Sequence, residues 1–276
     1  MATVAFQGEP GAYGEEAVLK YFGEGAEPLP CRSFQDVFVA VSSGKVDFGL
    51  VPVENSQAGS INDVYDLFRQ HDLYVGGEIS HPVDHCLLAL PGQSLGEIRR
   101  AISHPQALAQ TDAFLRQLGV EIVATYDTAG SAKLIREQEL HGVAAVAAAR
   151  AAELYGLEIL ARSIQTIADN FTRFVVLSRT PVAKGAGPNK TMLVLSTTHQ
   201  PGSLYRALGA LAERGINLLK LESRPSRNRA WEYVFYLDFE GHREDAQVRE
   251  ALADLAVHTV FCKVLGSFAR DTRMEA

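Results

Sequence analysis

The chain has 276 residues, of which 47% are hydrophobic and 21% are charged. These proportions are typical of a globular protein and exclude a collagen, a coiled coil and a disordered chain, and the length is sufficient for two domains. The formal net charge is −7 at pH 7, whereas a protein that binds nucleic acid through its phosphates needs a basic face. The charge balance therefore argues against nucleic acid as the main partner and leaves an anionic small molecule open.

The sequence carries no sign of export or of a membrane segment. No apolar run approaches the roughly 18 residues that a membrane helix requires, and the first residues have the pattern of a strand rather than of a signal peptide. The cysteines are odd in number and far apart, so they do not indicate a disulfide framework. We therefore expect a cytoplasmic protein with free thiols and no membrane partner.

Short apolar strands alternate with amphipathic helices through the first two thirds of the sequence. The clearest helix is predicted over residues 33–43, where apolar side chains follow the i, i+3, i+4, i+7 rule and Ser33 can cap the first turn. Further helices are predicted over residues 60–70, with Ser60 as the cap, and over residues 106–118. Alternation of this kind predicts parallel or mixed sheets covered by helices, arranged as two α/β lobes around a cleft.

Residues 181–190 contain two prolines and two glycines, as is typical of a linker. The pattern of strands and helices begins again after them, in the order βαββαβ. The predicted strands are residues 191–196, 216–223, 231–239 and 260–268, and the predicted helices are residues 203–214 and 243–257. This order predicts a second domain with a ferredoxin-like fold over residues 191–276.

Two polar segments come directly after predicted strands of the first domain. One contains Glu54, Asn55 and Ser56, and the other contains Ser103 and Gln110. Because the carboxyl ends of the strands line the ligand crevice of an open α/β sheet, these side chains are candidates for a binding site. Helix capping and turn formation are the structural alternative for the same residues.

A third polar segment, residues 169–174, leads into a strand. If the backbone is extended, Asn170, Thr172 and Phe174 point to one side and Arg173 to the other, so Thr172 and Arg173 can serve one pocket only where the chain is irregular. The Arg173 guanidinium suits a carboxylate ligand, and a structural ion pair is its alternative role. The pattern by itself does not identify Thr172 as catalytic.

Gly8 and Gly11 lie in a loop between a predicted strand and a predicted helix. Glycines allow a close approach of the backbone to a ligand, and helix N-terminal N–H groups favour an anion. The loop is therefore either a tight structural turn or a carboxylate site. Its spacing differs from the dinucleotide-binding fingerprint.

His81 and His85 could suggest a metal site, but two histidines four residues apart share a face only on a helix. Pro82 disfavours a helix at His81. The sequence also lacks a zinc motif, a P-loop and a serine nucleophile elbow. We therefore expect no metal and no cofactor, and a chemistry based on hydroxyl, amide and guanidinium groups.

These motifs together resemble those of the prephenate dehydratase family, in order and spacing and over essentially the whole chain. They are Gly8-x-x-Gly11-x-Tyr13, Val51-Pro-Val-Glu-Asn-Ser56 with Gly59, Ser103-His-Pro-Gln106 with Gln110, Tyr155-Gly-Leu157, Asn170-x-Thr172-Arg173-Phe174 and Glu222-Ser-Arg-Pro225. The resemblance implies a catalytic domain over residues 1–180 with two α/β lobes, similar to periplasmic binding proteins, and a regulatory ACT domain over residues 191–276. The first strand begins at residue 3, so we expect a monofunctional enzyme without chorismate mutase helices.

The family converts prephenate to phenylpyruvate, water and carbon dioxide in L-phenylalanine biosynthesis. Its catalytic residues carry over to Thr172, Asn55, Ser103 and Gln110. We expect Thr172 to donate a hydrogen bond to the departing oxygen, while the other three orient the substrate. Further substrate contacts are expected from Arg173, Phe174, Glu54 and Ser56.

The ACT resemblance implies that L-phenylalanine is an allosteric effector, held between the ACT domains of two subunits. The expected effector residues are Gly202, Ser203 and Leu204 in one loop, and Asn217, Leu218, Glu222, Ser223 and Arg224 on the facing strand. Ser203 replaces the alanine that is usual in the family. A shared site implies a homo-oligomer, with a dimer formed through the ACT domains and a tetramer in the family.

Two alternatives stay open at this point. An arogenate dehydratase would have the same fold and perform the same elimination on the aminated substrate. A non-catalytic amino-acid sensor is a different class, because two α/β lobes around a cleft also describe solute-binding proteins. Turnover of prephenate or arogenate distinguishes the enzymes from the sensor.

Overall fold

The structure is a computed structural model that describes residues 1–226 and 233–272. Its internal contacts divide the chain into two compact units, one formed by Met1–Ile61 and Ile79–Phe174 and the other by Asn62–Glu78 and Val175–Ala276. Within the described ranges, no helix is both long enough and apolar enough to cross a membrane.

The elements are numbered here in chain order. The strands are β1 (Thr3–Gln7), β2 (Glu27–Cys31), β3 (Phe48–Asn55), β4 (Gly59–Ser60), β5 (Tyr74–Pro82), β6 (Cys86–Ala89), β7 (Arg100–Ser103), β8 (Glu121–Ala124), β9 (Val143–Ala147), β10 (Glu158–Ala161), β11 (Phe171–Ser178), β12 (Asn189–Ser196), β13 (Leu218–Pro225), β14 (Tyr233–Glu240) and β15 (Phe261–Ala269). The α-helices are α1 (Tyr13–Phe22), α2 (Phe34–Ser42), α3 (Asn62–Gln70), α4 (Pro105–Gln110), α5 (Asp112–Leu118), α6 (Thr128–Glu137), α7 (Ala149–Tyr155), α8 (Ser203–Ala212) and α9 (Ala246–Val257).

Two sheets form the first part of the fold. One has the strand order β2-β1-β3-β11-β5, with the short strand β4 paired to β3, and the other has the order β10-β6-β9-β7-β8. β1 pairs in parallel with both β2 and β3, so the carboxyl ends of these three strands share one edge. Asn55, the last residue of β3, lies at that edge.

The second sheet is mixed, because β7 is parallel to β8 and β9 while β6 is antiparallel to β9 and β10. Its core is apolar and includes Leu87, Ala101, Leu115 and Val146, each without solvent exposure. Two mixed or parallel sheets covered by helices confirm the predicted fold class of the first domain.

Helix α2 shows why the local prediction worked. The Ser33 hydroxyl accepts a hydrogen bond from the Asp36 N–H at 3.1 Å, and the Asp36 carboxylate accepts one from the Ser33 N–H at 3.1 Å. This capping box begins the helix. Three of the four apolar positions that the spacing selected, Val37, Phe38 and Val41, are fully buried, and the fourth, Phe34, is partly buried.

Two other helices differ from the predictions. Ser60 belongs to β4 and pairs with Glu54 of β3, so α3 begins two residues later than expected. The helix predicted over residues 106–118 is divided into α4 and α5 at Thr111. The Thr111 hydroxyl donates to the Ala107 carbonyl at 2.8 Å, a side-chain bond that bends helices.

The last sheet has the order β13-β14-β12-β15, and each of its pairs is antiparallel. With α8 and α9 it gives the order βαββαβ, which confirms the ferredoxin-like prediction. Its core includes Leu193, Leu237, Phe239 and Leu255, all fully buried. Residues 231–232, where the third strand was predicted to begin, lie outside the described residues.

The second unit also contains α3 and the chain that follows it to Glu78. The Tyr236 hydroxyl donates to the Tyr65 carbonyl of α3 at 2.7 Å, and Lys190 of β12 pairs with Glu78 at 2.8 Å. This segment precedes residue 180 in the chain, so the contacts group part of the first predicted domain with the βαββαβ sheet.

Candidate active site

Four polar side chains form one hydrogen-bonded cluster. Asn55 ends β3, Gln110 ends α4, Asn170 precedes β11 and Thr172 is the second residue of β11. The Asn55 Nδ2 donates to Asn170 Oδ1 at 2.8 Å and to Thr172 Oγ1 at 3.1 Å. Gln110 joins them through Nε2, which lies 3.3 Å from Asn55 Oδ1, and through Oε1, which accepts from Asn170 Nδ2 at 3.1 Å.

Backbone donors fix the orientation of every amide in this cluster. The N–H groups of Gln57 and Ala58 donate to Asn55 Oδ1 at 3.1 and 2.9 Å, so that atom is the oxygen. The Asn55 nitrogen must then face Asn170 Oδ1, and Gln110 must present Nε2 to Asn55 and Oε1 to Asn170. Each of the three side-chain amides, those of Asn55, Gln110 and Asn170, therefore has only one orientation in which every donor faces an acceptor.

Thr172 is almost buried, with 8% of its surface exposed. In the described part of the chain its hydroxyl makes a single hydrogen bond, in which Oγ1 accepts from Asn55. The Thr172 proton is thus left to donate to another group. A hydroxyl that accepts from an amide is polarised and becomes a better donor.

His85 and Tyr13 extend the cluster. His85 Nε2 lies 2.9 Å from Gln110 Oε1, and His85 Nδ1 lies 2.9 Å from the Tyr13 hydroxyl. Burial lowers the pKa of His85, an effect that the hydrogen bond to Gln110 and the charge of Asp84 oppose. Burial, with a smaller contribution from Glu16, raises the pKa of Tyr13 well above its ordinary value. The imidazole is therefore neutral and the phenol keeps its proton near neutral pH.

The chain between β10 and β11 holds this arrangement in place through its backbone. The Thr166 N–H donates to the Gln110 carbonyl and the Ile164 N–H to the His85 carbonyl, each at 2.9 Å. The Gln165 side chain accepts from the His85 N–H at 2.9 Å. Residues 164–166 therefore tie the two loops that carry Gln110 and His85.

Arg173 and Phe174 are outside the hydrogen-bonded cluster formed by Asn55, Gln110, Asn170 and Thr172. The Arg173 guanidinium pairs with the Glu54 carboxylate at 3.1 Å, and Phe174 is 4% exposed. β11 is extended, so Thr172 and Arg173 face opposite sides, as the alternation predicted. Ser56 joins the two strands, because its Oγ accepts from the Phe171 N–H at 3.0 Å.

Ser103 is the predicted catalytic residue that the structure does not bring into the cluster. It is fully buried, and its hydroxyl donates to the Val146 carbonyl at 2.6 Å. Ser103 ends β7 just before α4, so this bond fixes the start of the helix that carries Gln110.

Asn170, His85 and Tyr13 belong to the cluster although the sequence analysis did not select them as site residues. Alternation along β11 placed Asn170 on the Thr172 side, which was a usable signal. His85 was considered only as a metal ligand. It lies beside Gln110, 25 positions away in sequence, so only the fold relates the two.

The glycine loop has the geometry of a tight turn. Gly8 and Gly11 have φ values of +123° and +88°, which disfavour other residues. A Cβ on Gly11 would lie 3.0 Å from the Ala151 Cα. The Gly11 N–H donates to the Glu15 carboxylate, so an acidic side chain of the chain itself takes the place predicted for an anion.

A cleft of about 520 Å³ lies beside this loop, at the carboxyl ends of β1 and β2. It is lined by Gln7, Gly8, Glu9, Pro30, Cys31, Arg32, Tyr126 and Asp127. His81, the other histidine considered as a metal ligand, pairs with Glu16 at 2.9 Å.

The predicted effector residues lie at the start of α8 and along β13. Gly202 precedes α8 with φ +78°. The Ser203 hydroxyl lies 2.9 Å from Thr198 Oγ1 and accepts from Arg206 at 3.3 Å. These three side chains line a cavity of about 160 Å³ together with Val257, His258 and Thr259.

On β13 and just before it, the predicted effector residues differ in exposure. Asn217 and Ser223 are exposed, whereas Leu218, Glu222 and Arg224 are partly buried, as is Leu204 at the start of α8. Arg224 pairs with Asp66 of α3 at 3.2 Å.

An α/β domain whose assembled reactive groups are a hydroxyl and amides, followed by a βαββαβ domain, is the architecture of an enzyme joined to a regulatory module. The chain belongs to the prephenate dehydratase family. Residues 4–182 match the family model for prephenate dehydratase, and residues 191–257 match that for the ACT domain. The chain is accordingly a lyase, and the sensor alternative is set aside.

Similar individual proteins include two dehydratases and one protein named for a different activity. Arogenate dehydratase 5, chloroplastic, of Arabidopsis thaliana is 45% identical over 97% of this chain and 67% of its own length. The solved structure of a prephenate dehydratase from Arthrobacter aurescens, in complex with L-Phe, has a TM-score of 0.89 at 32% identity, covering 97% of this chain and 90% of its own. A solved quorum quenching acylase, GqqA, has a TM-score of 0.90 at 37% identity, covering 99% of this chain and 100% of its own.

The prediction of a cytoplasmic location is wrong by this comparison. Several similar enzymes of Arabidopsis thaliana, at 43–45% identity, are chloroplastic. The prediction depended on the absence of a leader pattern in the printed sequence, and that absence does not outweigh the location of the relatives.

Proposed function

We propose that this chain catalyses the decarboxylating dehydration of prephenate to phenylpyruvate, water and carbon dioxide in phenylalanine synthesis. The observation that supports it best is the fixed direction of the Asn55–Thr172 hydrogen bond, at 3.1 Å, which leaves the Thr172 O–H as a donor. The relatives' names include both prephenate and arogenate dehydratases.

The reaction requires a donor at the departing oxygen. The bond between the ring and its carboxylate breaks, and its electron pair enters the ring as the C–O bond breaks on the opposite side. The hydroxide that leaves must gain a proton to become water. Formation of an aromatic ring makes the overall reaction favourable, so the enzyme needs to hold the dianion and stabilise the leaving oxygen.

In this proposal, Thr172 stabilises the leaving oxygen. Its O–H donates to the departing oxygen, and a preorganised donor of this kind contributes about 3 kcal/mol. A threonine hydroxyl does not titrate near neutral pH, so water completes the proton transfer. Asn55 and Gln110 hold the donor and orient the substrate, and Ser103 acts by fixing α4, which carries Gln110.

Glu54, Ser56, Arg173 and Phe174 are proposed to support the substrate pocket rather than to react. Arg173 is paired with Glu54, which favours a structural role for the guanidinium over binding of a substrate carboxylate. Ser56 holds β3 to the start of β11. Phe174 is buried and supports Thr172 from within the strand.

Arogenate is the second candidate substrate. It undergoes the same elimination and differs only in bearing an amine in place of the keto group. The 45% identity to an arogenate dehydratase favours it specifically. Two assays of the same purified protein test both substrates: release of phenylpyruvate from prephenate and release of phenylalanine from arogenate. If the protein turns over neither substrate, the proposal is contradicted.

We further propose regulation by L-phenylalanine, with a catalytic domain over residues 1–180, a linker over residues 181–190 and an ACT domain from residue 191. The similar Arthrobacter enzyme was solved with L-Phe bound. The proposed effector residues are Gly202, Ser203, Leu204, Asn217, Leu218, Glu222, Ser223 and Arg224. The site is proposed to be shared in a homodimer of ACT domains, which assembles further to a tetramer. Inhibition curves with L-phenylalanine test the proposed regulation, and the mass of the protein in solution tests the proposed oligomeric state.

A further inference from the structure

The site contains a histidine and a tyrosine that the dehydratase mechanism above does not use. His85 is 2% exposed and lies between Tyr13 and Gln110. In the described structure neither ring forms a hydrogen bond with Thr172, so the hydrogen-bonded path from them to Thr172 passes through other residues.

The proton positions on both rings follow from the backbone donors at residues 57–58. Asn55 Oδ1 accepts from these N–H groups, and Gln110 therefore presents Nε2 to Asn55 and Oε1 to His85. An oxygen facing His85 Nε2 requires that nitrogen to carry the proton. Nδ1 of the neutral ring is then an acceptor for the Tyr13 O–H, which lies 2.9 Å from it and also donates to the Asp84 carbonyl at 2.9 Å, so the two acceptors share one proton.

A continuous series of directed hydrogen bonds results. Tyr13 donates to His85, His85 donates to Gln110, Gln110 donates to Asn55 and Asn55 donates to Thr172. From His85 onward, the partner of each donor follows from the backbone N–H groups of Gln57 and Ala58 that fix Asn55 Oδ1. The last member is the hydroxyl whose direction the proposed function requires.

We infer that His85, whose Nε2–H faces Gln110 Oε1 and whose Nδ1 faces the Tyr13 hydroxyl, is a positioning residue that orients Gln110 and, through Asn55, the Thr172 donor. The inference depends on the proposed dehydratase function for its kinetic consequences. It assigns no proton transfer to His85 or Tyr13, because an amide lies between them and the reacting atoms.

Two substitutions at His85 separate this role from simple packing. In His85→Gln the side-chain nitrogen can occupy the place of Nε2, whereas in His85→Asn it lies near the place of Nδ1. Both variants remove the ring and both are polar, and asparagine is shorter than glutamine by one methylene, so urea unfolding of the two variants measures their difference in packing. Only glutamine can still donate to Gln110.

We expect kcat of His85→Asn to fall on the order of tenfold with little change in KM, because positioning acts on the transition state. His85→Gln should remain within about threefold of the wild type. Equal losses of kcat in both variants would overturn the inference in favour of packing.

Tyr13→Phe tests the other end of the series. It should lower kcat about threefold in the wild type but have no further effect in His85→Gln, which does not depend on a tautomer. Tyr155→Phe is the matched control, since the Tyr155 hydroxyl donates to the Pro10 carbonyl at 2.8 Å and should not alter kcat. If Tyr13→Phe lowered kcat by the same factor in the wild type and in His85→Gln, the inference would be contradicted.

The tautomer can be measured without turnover, by the ¹⁵N chemical shifts of the His85 imidazole. We expect a protonated Nε2 and an unprotonated Nδ1 in the wild type, and a mixture of tautomers in Tyr13→Phe. A protonated Nδ1 in the wild type would overturn the inference whatever the activity. Absence of prephenate turnover by the wild type, with the expected tautomer, would instead overturn the proposed function.

Discussion

Asn55 has the central position among the single residues of the site. Its oxygen is held by two backbone N–H groups, and its nitrogen faces Asn170, the Phe171 carbonyl and Thr172. The family resemblance implied that Asn55, Ser103, Gln110 and Thr172 share one site, and hydrogen bonds join three of them, with Ser103 bonded to the Val146 carbonyl instead. The sequence could not select Tyr13 and His85, because their role depends on hydrogen bonds between segments that are distant in sequence.

Replacing Asn55 by aspartate tests the direction of the network. The carboxylate has the shape of the amide, but it presents an acceptor where Nδ2 donated to three oxygens. We expect the Thr172 proton to turn towards it, with a kcat loss of about 100-fold and a stability loss of about 1–3 kcal/mol. Steady-state kinetics and urea unfolding measure the two effects, and a kcat near that of the wild type would contradict the assigned direction.

His85 also predicts a dependence of stability on pH. Burial lowers its pKa in the folded chain, so the unfolded chain binds the proton first as the pH falls. The contribution to folding stability is therefore complete above about pH 6.5 and is lost as the pH decreases towards the folded pKa. Urea unfolding from pH 7.5 to 5 should show a smaller loss for His85→Gln than for the wild type, and equal losses would contradict this assignment.

At the scale of the elements, local patterns predicted what local forces determine. Ser33 and Asp36 marked the start of α2, and the apolar spacing marked its buried face. The edge strand β2 was not predicted, because Pro28 and Pro30 disfavour strands except at sheet edges. The grouping of α3 with the βαββαβ sheet depends on distant contacts, and no feature of the α3 sequence indicates it.

The ion pair between Lys190 of β12 and Glu78 of β5 is one of those contacts. Its side chains are 9% and 2% exposed, and the pair distance is 2.8 Å. Lys190→Met should cost about 3–5 kcal/mol, because it removes the Lys190 ammonium that compensates the buried Glu78 carboxylate. Adding Glu78→Leu should restore part of that stability in chemical unfolding, and a double variant less stable than Lys190→Met would contradict this explanation.

At the scale of the whole molecule, α3 connects two functions along the chain. It begins seven residues after Asn55, and its Asp66 pairs with Arg224 on the strand proposed to bind the effector. Regulation requires the effector to prefer one of two states, with a coupling of about 1–3 kcal/mol. The segment from Asn55 to Asp66 joins a proposed catalytic residue, along the chain, to the ion-pair partner of a proposed effector residue.

Asp66→Asn tests this connection while preserving side-chain shape. We expect turnover without phenylalanine to stay within about twofold of the wild type, since Asp66 is absent from the catalytic cluster. The phenylalanine concentration for half inhibition should rise by about fivefold or more, the lower end of typical couplings. Inhibition curves of the two proteins provide the comparison, and superimposable curves would contradict a role for this ion pair.

The proposed mechanism depends most on the Thr172 hydroxyl, and its most direct test is kcat for prephenate in the wild type, Thr172→Val and Thr172→Ser. Valine keeps the shape and removes the donor, while serine keeps the donor. We predict a loss of about 100-fold or more for valine, near-wild-type turnover for serine, and folding of both as judged by unfolding midpoints. Turnover by Thr172→Val equal to that of the wild type would contradict the mechanism.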